Sequence, residues 1–197
     1  MSEATKEFLM RQFAEFAAFR RALTNESDRG CALFASAYLD KALSDLLFLS
    51  LVNSKKIDSE LFEGNSPLAT FSSRIKMAFY LGKISAECRG DLETIRKIRN
   101  EFAHDANLIS FDTQSIADRC RNLGFSYQSK ESRPRSHFTA ACSGILGRLH
   151  MTALKSVAPT VKPDDRPTEE EKVKARENAK KALMEVEEEQ DKEGKAS

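Results

Sequence analysis

Three side chains in the middle of the chain, Arg99, Asn100 and His104, are of the types and spacing that could act on a phosphodiester. They lie in the stretch Asp91-Leu-Glu-Thr-Ile-Arg-Lys-Ile-Arg-Asn-Glu-Phe-Ala-His-Asp105. An imidazole with an ordinary pKa of about 6.5 can exchange a 2′-hydroxyl or leaving-group proton near neutral pH, and a guanidinium can hold the scissile phosphate and stabilise its growing charge. Asn100 could orient the ring or bond a phosphate oxygen. Together these groups suit metal-independent cleavage of RNA.

The element that must position them is a helix. Leu92, Ile95, Ile98 and Phe102 recur at three- and four-residue steps, which is one buried stripe at helical period. Asn100 and His104 are four apart and are neighbours on the opposite side, with Arg96 one turn further back on the same row. Arg99 stands five residues before His104, roughly 140° around the axis. The two share a site only if Arg99 reaches round, the helix ends near His104, or a second subunit contributes. A purely structural reading of the same residues pairs Arg96 and Arg99 with acids of the second helix, Asp40 and Asp45, and lets His104 cap a helix C-terminus.

Composition limits what else the chain can do. It has 197 residues with 41% hydrophobic content, enough for one domain with a real core plus appendages. Lys+Arg 31 against Asp+Glu 30 leaves a net charge of +1, without the strong positive field of a protein that grips nucleic acid mainly through phosphates. Cys31, Cys88, Cys120 and Cys142 form no Cys-x-x-Cys pair, so reduced thiols are expected and no zinc or redox motif is indicated. There is no glycine-rich phosphate loop or nucleophile elbow, so no cofactor or metal is expected. No signal peptide or membrane-spanning run is evident, and a cytoplasmic location is expected.

In chain order, Ser2 to Leu23 carries Phe8, Leu9, Phe13, Phe16, Phe19 and Leu23 at helical spacing and predicts a first helix. Asn25 or Ser27 can cap a second, from about Glu26 to Val52, apolar over much of its circumference and therefore central. Asn53 to Asn65 is polar with an apolar interlude at Ile57, Leu61 and Phe62. Ser66-Pro67 then reads as cap and first turn of a third helix ending near Lys83. Ser85 caps the helix of the opening stretch, whose regular part is expected from Asp91 because Gly90 interrupts it.

Thr113 to Leu123 is a minor fifth helix, and 124–135 is loop. Ser136 to Val157 is the last core helix, with Phe138, Ala141, Ile145, Leu149 and Leu154 facing in. His137 and His150 stand near Arg133, Arg135 and Arg148. With Arg119 and Arg121 these form either a modest positive patch or, as the sequence favours, a solvated face. Pro159, Pro163 and Pro167 mark an extended linker before a charged segment, Thr168 to Ser197, whose thin stripe of Val173, Ala179, Leu183 and Val186 suits a solvated helix or frayed tail.

The middle of the chain resembles a known family. A Pro67-Leu68 step, an Arg74-x-Lys76 helix ending in Tyr80-Leu81-Gly82 and an Arg99-x-x-x-x-His104-Asp105 end are similar to the mannitol-operon-repressor-like family of bacterial regulators. The Arg99-Asn100-x-x-x-His104 ending is also similar to the signature of the HEPN superfamily, compact helical domains that often dimerise and, in catalytic members, cut RNA in a two-chain groove. The first resemblance implies regulation. No helix-turn-helix is evident, so contact with a protein partner is expected rather than major-groove reading, with weak nucleic-acid binding at most. The second implies an endoribonuclease in which Arg99 contacts phosphate, His104 moves or positions a proton, Asn100 and Arg96 support them and Asp40 orients. A third possibility is a helical scaffold without a ligand. The expected architecture is an all-α bundle of about five or six helices over residues 1–158, as a homodimer, with a charged extension over 159–197.

Overall fold

The computed structural model describes residues 14, 17–104 and 108–194, the segment 186–194 in backbone alone. The expected inward residues Phe8, Leu9, Phe13 and Phe16 lie outside that range, as does Asp105. All regular structure among the described residues is helical. A first helix, α1, is described over 17–25. It is followed by α2 (Asp28–Phe48), a π-helical turn (Asp58–Phe62), α3 (Phe71–Tyr80), α4 (Ala86–His104), α5 (Gln114–Arg121), α6 (Pro134–Lys155) and α7 (Glu169–Gly194). The chain divides into two compact units, residues 1–160 and 161–197.

Helix α2 is the central element of the first unit and packs against α3, α4 and α6. Its N-cap is Ser27, whose Oγ accepts from the Gly30 N–H at 3.0 Å. Its buried set of Ala32, Ala35, Leu39, Leu43, Leu46 and Leu47 covers several sides, as its composition implies. Helices α2 and α6 run in the same direction. Arg135 at the start of α6 bonds Asp28 at the start of α2 at 2.8 Å, and Ser50 and Ser156, each just beyond its helix, meet at 3.4 Å. Helix α4 runs the other way. Its end brings Phe102 within 5.0 Å, ring to ring, of Phe111, whose ring lies tilted against that of Phe138 of α6 at 4.9 Å and whose N–H donates to Asp28.

The expected stripe of Leu92, Ile95, Ile98 and Phe102 is fully buried. Helix α4 begins at Ala86 rather than Asp91, with Ser85 Oγ accepting from the Cys88 N–H at 3.2 Å. Gly90 does not interrupt it, because a glycine inside a helix costs only about 1 kcal/mol relative to alanine and the flanking burial exceeds that. Helix α3 starts later than the Ser66-Pro67 signal implied. Ser66 Oγ donates instead to Ser59 O at 2.9 Å, and Thr70 caps, its Oγ1 accepting from the Ser73 N–H at 3.1 Å. The helix closes on Gly82, at φ +66°, with Gly82 N–H donating to Phe79 O and Lys83 N–H to Ala78 O. That pair of bonds is a Schellman ending, which needs the left-handed residue glycine supplies at least cost.

Two further expectations are corrected. Leu154 is 44% exposed rather than inward, because it stands at the end of α6 level with the end of α2, on the rim of the core. His137 is buried, with Nδ1 3.0 Å from Ser126 Oγ, and belongs to no surface patch. Beyond an irregular 156–168 segment, α7 exposes Val173 and Leu183, a solvated helix with no packed face along these positions.

All four cysteines are free and buried. Burial pushes the Cys31 thiol up to about 11 and those of Cys88 and Cys120 up to about 12, from an ordinary 9.0, and raises Cys142 well above it. The folded state therefore keeps protons that the unfolded chain releases. Stability should be unaffected by these groups below pH about 9 and should fall as pH rises from there toward about 12. Denaturant titrations across that range, with native thiols resisting a disulfide reagent until unfolding, check this.

Candidate functional site

A cleft of about 600 Å³ opens between three helices. Helix α2 lines it with Leu33, Ser36, Ala37 and Asp40, the start of α3 with Ala69, Thr70, Phe71 and Ser72, and α4 with Arg96, Arg99 and Asn100. Four residues singled out in the sequence, Asp40, Arg96, Arg99 and Asn100, thus share one cavity. His104 does not. It stands exposed at the last residue of α4, one turn beyond Asn100, outside the lining.

The polar groups of the cleft are held in a defined pattern. Asp40 Oδ1 accepts from Arg74 Nη1 at 2.6 Å, with the arginine side chain 13% exposed. Arg96 Nε donates to Glu93 Oε2 at 2.9 Å, and Arg99 Nη1 donates to Asn100 Oδ1 at 3.0 Å. Asp45 pairs with Lys41. The anticipated pairing of Arg96 and Arg99 with Asp40 and Asp45 is therefore replaced. Asp40 faces α3, where Arg74 reaches it first, and Asp45 faces a neighbour one turn away on its own helix. Arg99 has no carboxylate partner among the described residues.

Two buried polar atoms here lack a partner, Ser36 Oγ and Arg74 Nε. Ser36 did not stand out in the sequence, and Arg74 did so only as part of the family resemblance, with no role at the site. Arg74 lies 34 positions from Asp40, and nothing local marks the pair. Chemically the arrangement offers guanidinium, amide and hydroxyl donors with one neutralised carboxylate. Such groups can bind a polar ligand.

Three of the basic residues considered for a positive patch are paired with acids. Arg119 pairs with Glu101, Arg121 with Asp118 at 3.6 Å, and Arg135 with Asp28 while also donating to the carbonyls of Leu23 and Glu26. No set of three or more His, Cys, Asp or Glu side chains among the described residues could hold a metal ion. No described helix is long and apolar enough to cross a membrane.

A second surface is apolar. The C-terminal ends of α2, α3 and α6 meet where Lys83 Nζ and Ser50 Oγ both lie 3.4 Å from Ser156 Oγ. Around this end Leu49, Tyr80, Leu81, Met151, Leu154 and Val157 are exposed, Tyr80 at 75%. The Arg89 guanidinium lies over the Phe79 ring at 4.7 Å and the Tyr80 ring at 5.6 Å.

Comparison with known proteins places the fold. The mannitol repressor family model matches residues 50–160. The X-ray structure of the MtlR–HPr complex from Escherichia coli is similar, with TM-score 0.56 and 20% identity, covering 67% of this chain and 98% of that one. At that identity the likeness speaks for a shared helical fold. No curated protein sequence matches the chain. The family match takes in α3 to α6, including the Arg74, Arg96, Arg99 and Asn100 positions, and spans over half the sequence. This chain belongs to the mannitol repressor family.

Proposed function

We propose that the protein is a transcriptional regulator of the mannitol-repressor type that works through protein contacts, and that its helical unit docks a partner of the HPr kind. The observation that carries this reading is the fold shared over 98% of a chain whose structure was solved as a complex with HPr. The near-neutral charge supports it, because a phosphate-gripping surface would need a local excess of cations and the arginines outside the cleft are paired with acids or carbonyls at several positions. The apolar end around Tyr80 and Leu154 offers a docking surface of the kind that protein partners cover.

The test is calorimetric titration of the full chain with purified HPr. Binding is expected, and Tyr80→Ser with Leu154→Ser should weaken it about tenfold or more while leaving the thermal transition in place. Absence of any heat or complex at concentrations of about 100 μM removes the reading.

One observation favours a second reading. Asp40, Arg96, Arg99 and Asn100 share a cleft with His104 exposed one turn beyond, so a homodimer could bring the partner's imidazole to it and form a HEPN-type ribonuclease groove. RNA incubated with the protein in excess chelator decides this, with cleavage that is abolished in His104→Ala and Arg99→Ala as its required signature.

A further inference from the structure

The walls of the cleft between α2, α3 and α4 leave several polar groups unmatched, and together these describe a ligand. We propose that the cleft binds a small phosphate monoester with a hydroxyl-bearing body, as an effector of the protein. This goes beyond the protein-contact reading and does not rest on it.

The phosphate end is argued from α3 and Arg99. Helix α3 has ten residues, and its cap Thr70 and first-turn residues Phe71 and Ser72 line the cleft. The cap satisfies the Ser73 N–H through Thr70 Oγ1, and the Arg74 N–H is taken by Thr70 O. The first-turn N–H groups of Phe71 and Ser72 have no acceptor within the helix and lie at the positive end of its dipole. Across the cavity Arg99 has no acid among the described residues to neutralise it, and its bond to Asn100 Oδ1 leaves the Asn100 amide nitrogen to donate elsewhere. Backbone donors, a guanidinium and an amide on one cavity match an oxyanion better than an amine or a metal.

Independent support comes from Ser36. It is 2% exposed, lines the cleft from the middle of α2, and its Oγ is buried without a partner. A serine inside a helix ordinarily returns its hydroxyl to the carbonyl four residues back, as Ser50 does just past the end of this helix by donating to Leu46 O at 2.7 Å. Ser36 does not, and a polar ligand atom is the partner its position lacks. Asp40 would repel an anion if it were bare, but Arg74 neutralises it at 2.6 Å, leaving a carboxylate oxygen that can accept from a ligand hydroxyl. Leu33, Ala37 and Phe71 supply apolar wall for the carbon skeleton. The volume suits a small metabolite.

Calorimetry on the full chain in a phosphate-free buffer, with no partner protein present, tests the proposal using glycerol 3-phosphate, inorganic phosphate and glycerol as probes. The phosphate ester should bind, inorganic phosphate about tenfold more weakly, and glycerol not at all. Arg99→Ala should weaken ester binding about tenfold or more, since a charge-assisted bond is lost. Ser36→Ala should weaken it several-fold while the thermal transition stays or rises, because an unmatched buried hydroxyl is removed. A merely structural serine would not give that split. No binding of ester or phosphate up to about 10 mM, or ester binding that survives Arg99→Ala unchanged, overturns the site. Inorganic phosphate binding as tightly as the ester overturns the hydroxylated body.

Discussion

Phe102→Ala should lower the free energy of unfolding by about 3–5 kcal/mol, the range for removing a large ring from a tightly packed interior. Phe102 is fully buried and is the first ring of the series Phe102, Phe111, Phe138, which joins α4, the segment before α5 and α6 through centroid distances of 5.0 and 4.9 Å. Alanine removes the Phe102 ring contact from Phe111 and opens a void beside a ring that cannot readily move in, since Phe111 stays held by Phe138 and by its N–H bond to Asp28. For a unit of this size the loss corresponds to a fall in Tm of roughly 6–20 °C. Arg99→Ala, three residues earlier on the exposed side of the same helix, is the control and should change stability by no more than about 0.5 kcal/mol. Denaturant unfolding of both variants checks the pair. A cost below about 1 kcal/mol for Phe102→Ala would mean that the α4 stripe does not anchor the bundle.

Asp91→Ala should cost about 2–3 kcal/mol, for a different reason. Its carboxylate, 8% exposed near the start of α4, accepts from Gly124 N–H at 3.1 Å and from Phe125 N–H at 2.8 Å. These bonds hold the turn after α5 against α6, where Phe125 O lies within 3.1 Å of the position a Cβ on Gly144 would occupy. Bonds to an ionised acceptor are the stronger kind, and removing the acceptor leaves two donors to be served by water. Asp91→Asn keeps one acceptor oxygen and should cost about 1 kcal/mol, half or less of the alanine value. Thermal denaturation gives the ranking, and hydrogen exchange should show faster exchange at residues 124–125 in Asp91→Ala before any global change. Equal costs for the two substitutions would sink the hydrogen-bond explanation.

The features legible in the sequence were those written in local periodicity. Leu92, Ile95, Ile98 and Phe102 share one phase over sixteen ångströms or so of helix, about 1.5 Å per residue, and no tertiary contact was needed to read them as inward. Ser27 and Ser85 were legible as caps because an N-cap bond spans only two or three residues. Ser66-Pro67 carried the same local signal and misled, since Ser66 Oγ found Ser59 O across the π-helical turn and Thr70 took the cap. Of the site, Asp40, Arg96, Arg99 and Asn100 were visible as residue types. The pairing was not, because Arg74 reaches Asp40 across 34 positions and Asp91 reaches Phe125 across as many. His104 was chosen by residue type, helical row and the HEPN-like ending, and none of these says how far along α4 the cleft extends.

The wall of the cleft that holds Ser36 and Asp40 precedes residue 50, where the family match begins. Expression boundaries drawn from that match would excise α2, the helix against which α3, α4 and α6 all rest, together with one side of the cavity. Any truncated version intended to report on this protein must therefore begin upstream of Asp28, or it reports on an exposed half-core whose recognition surface has been cut in two.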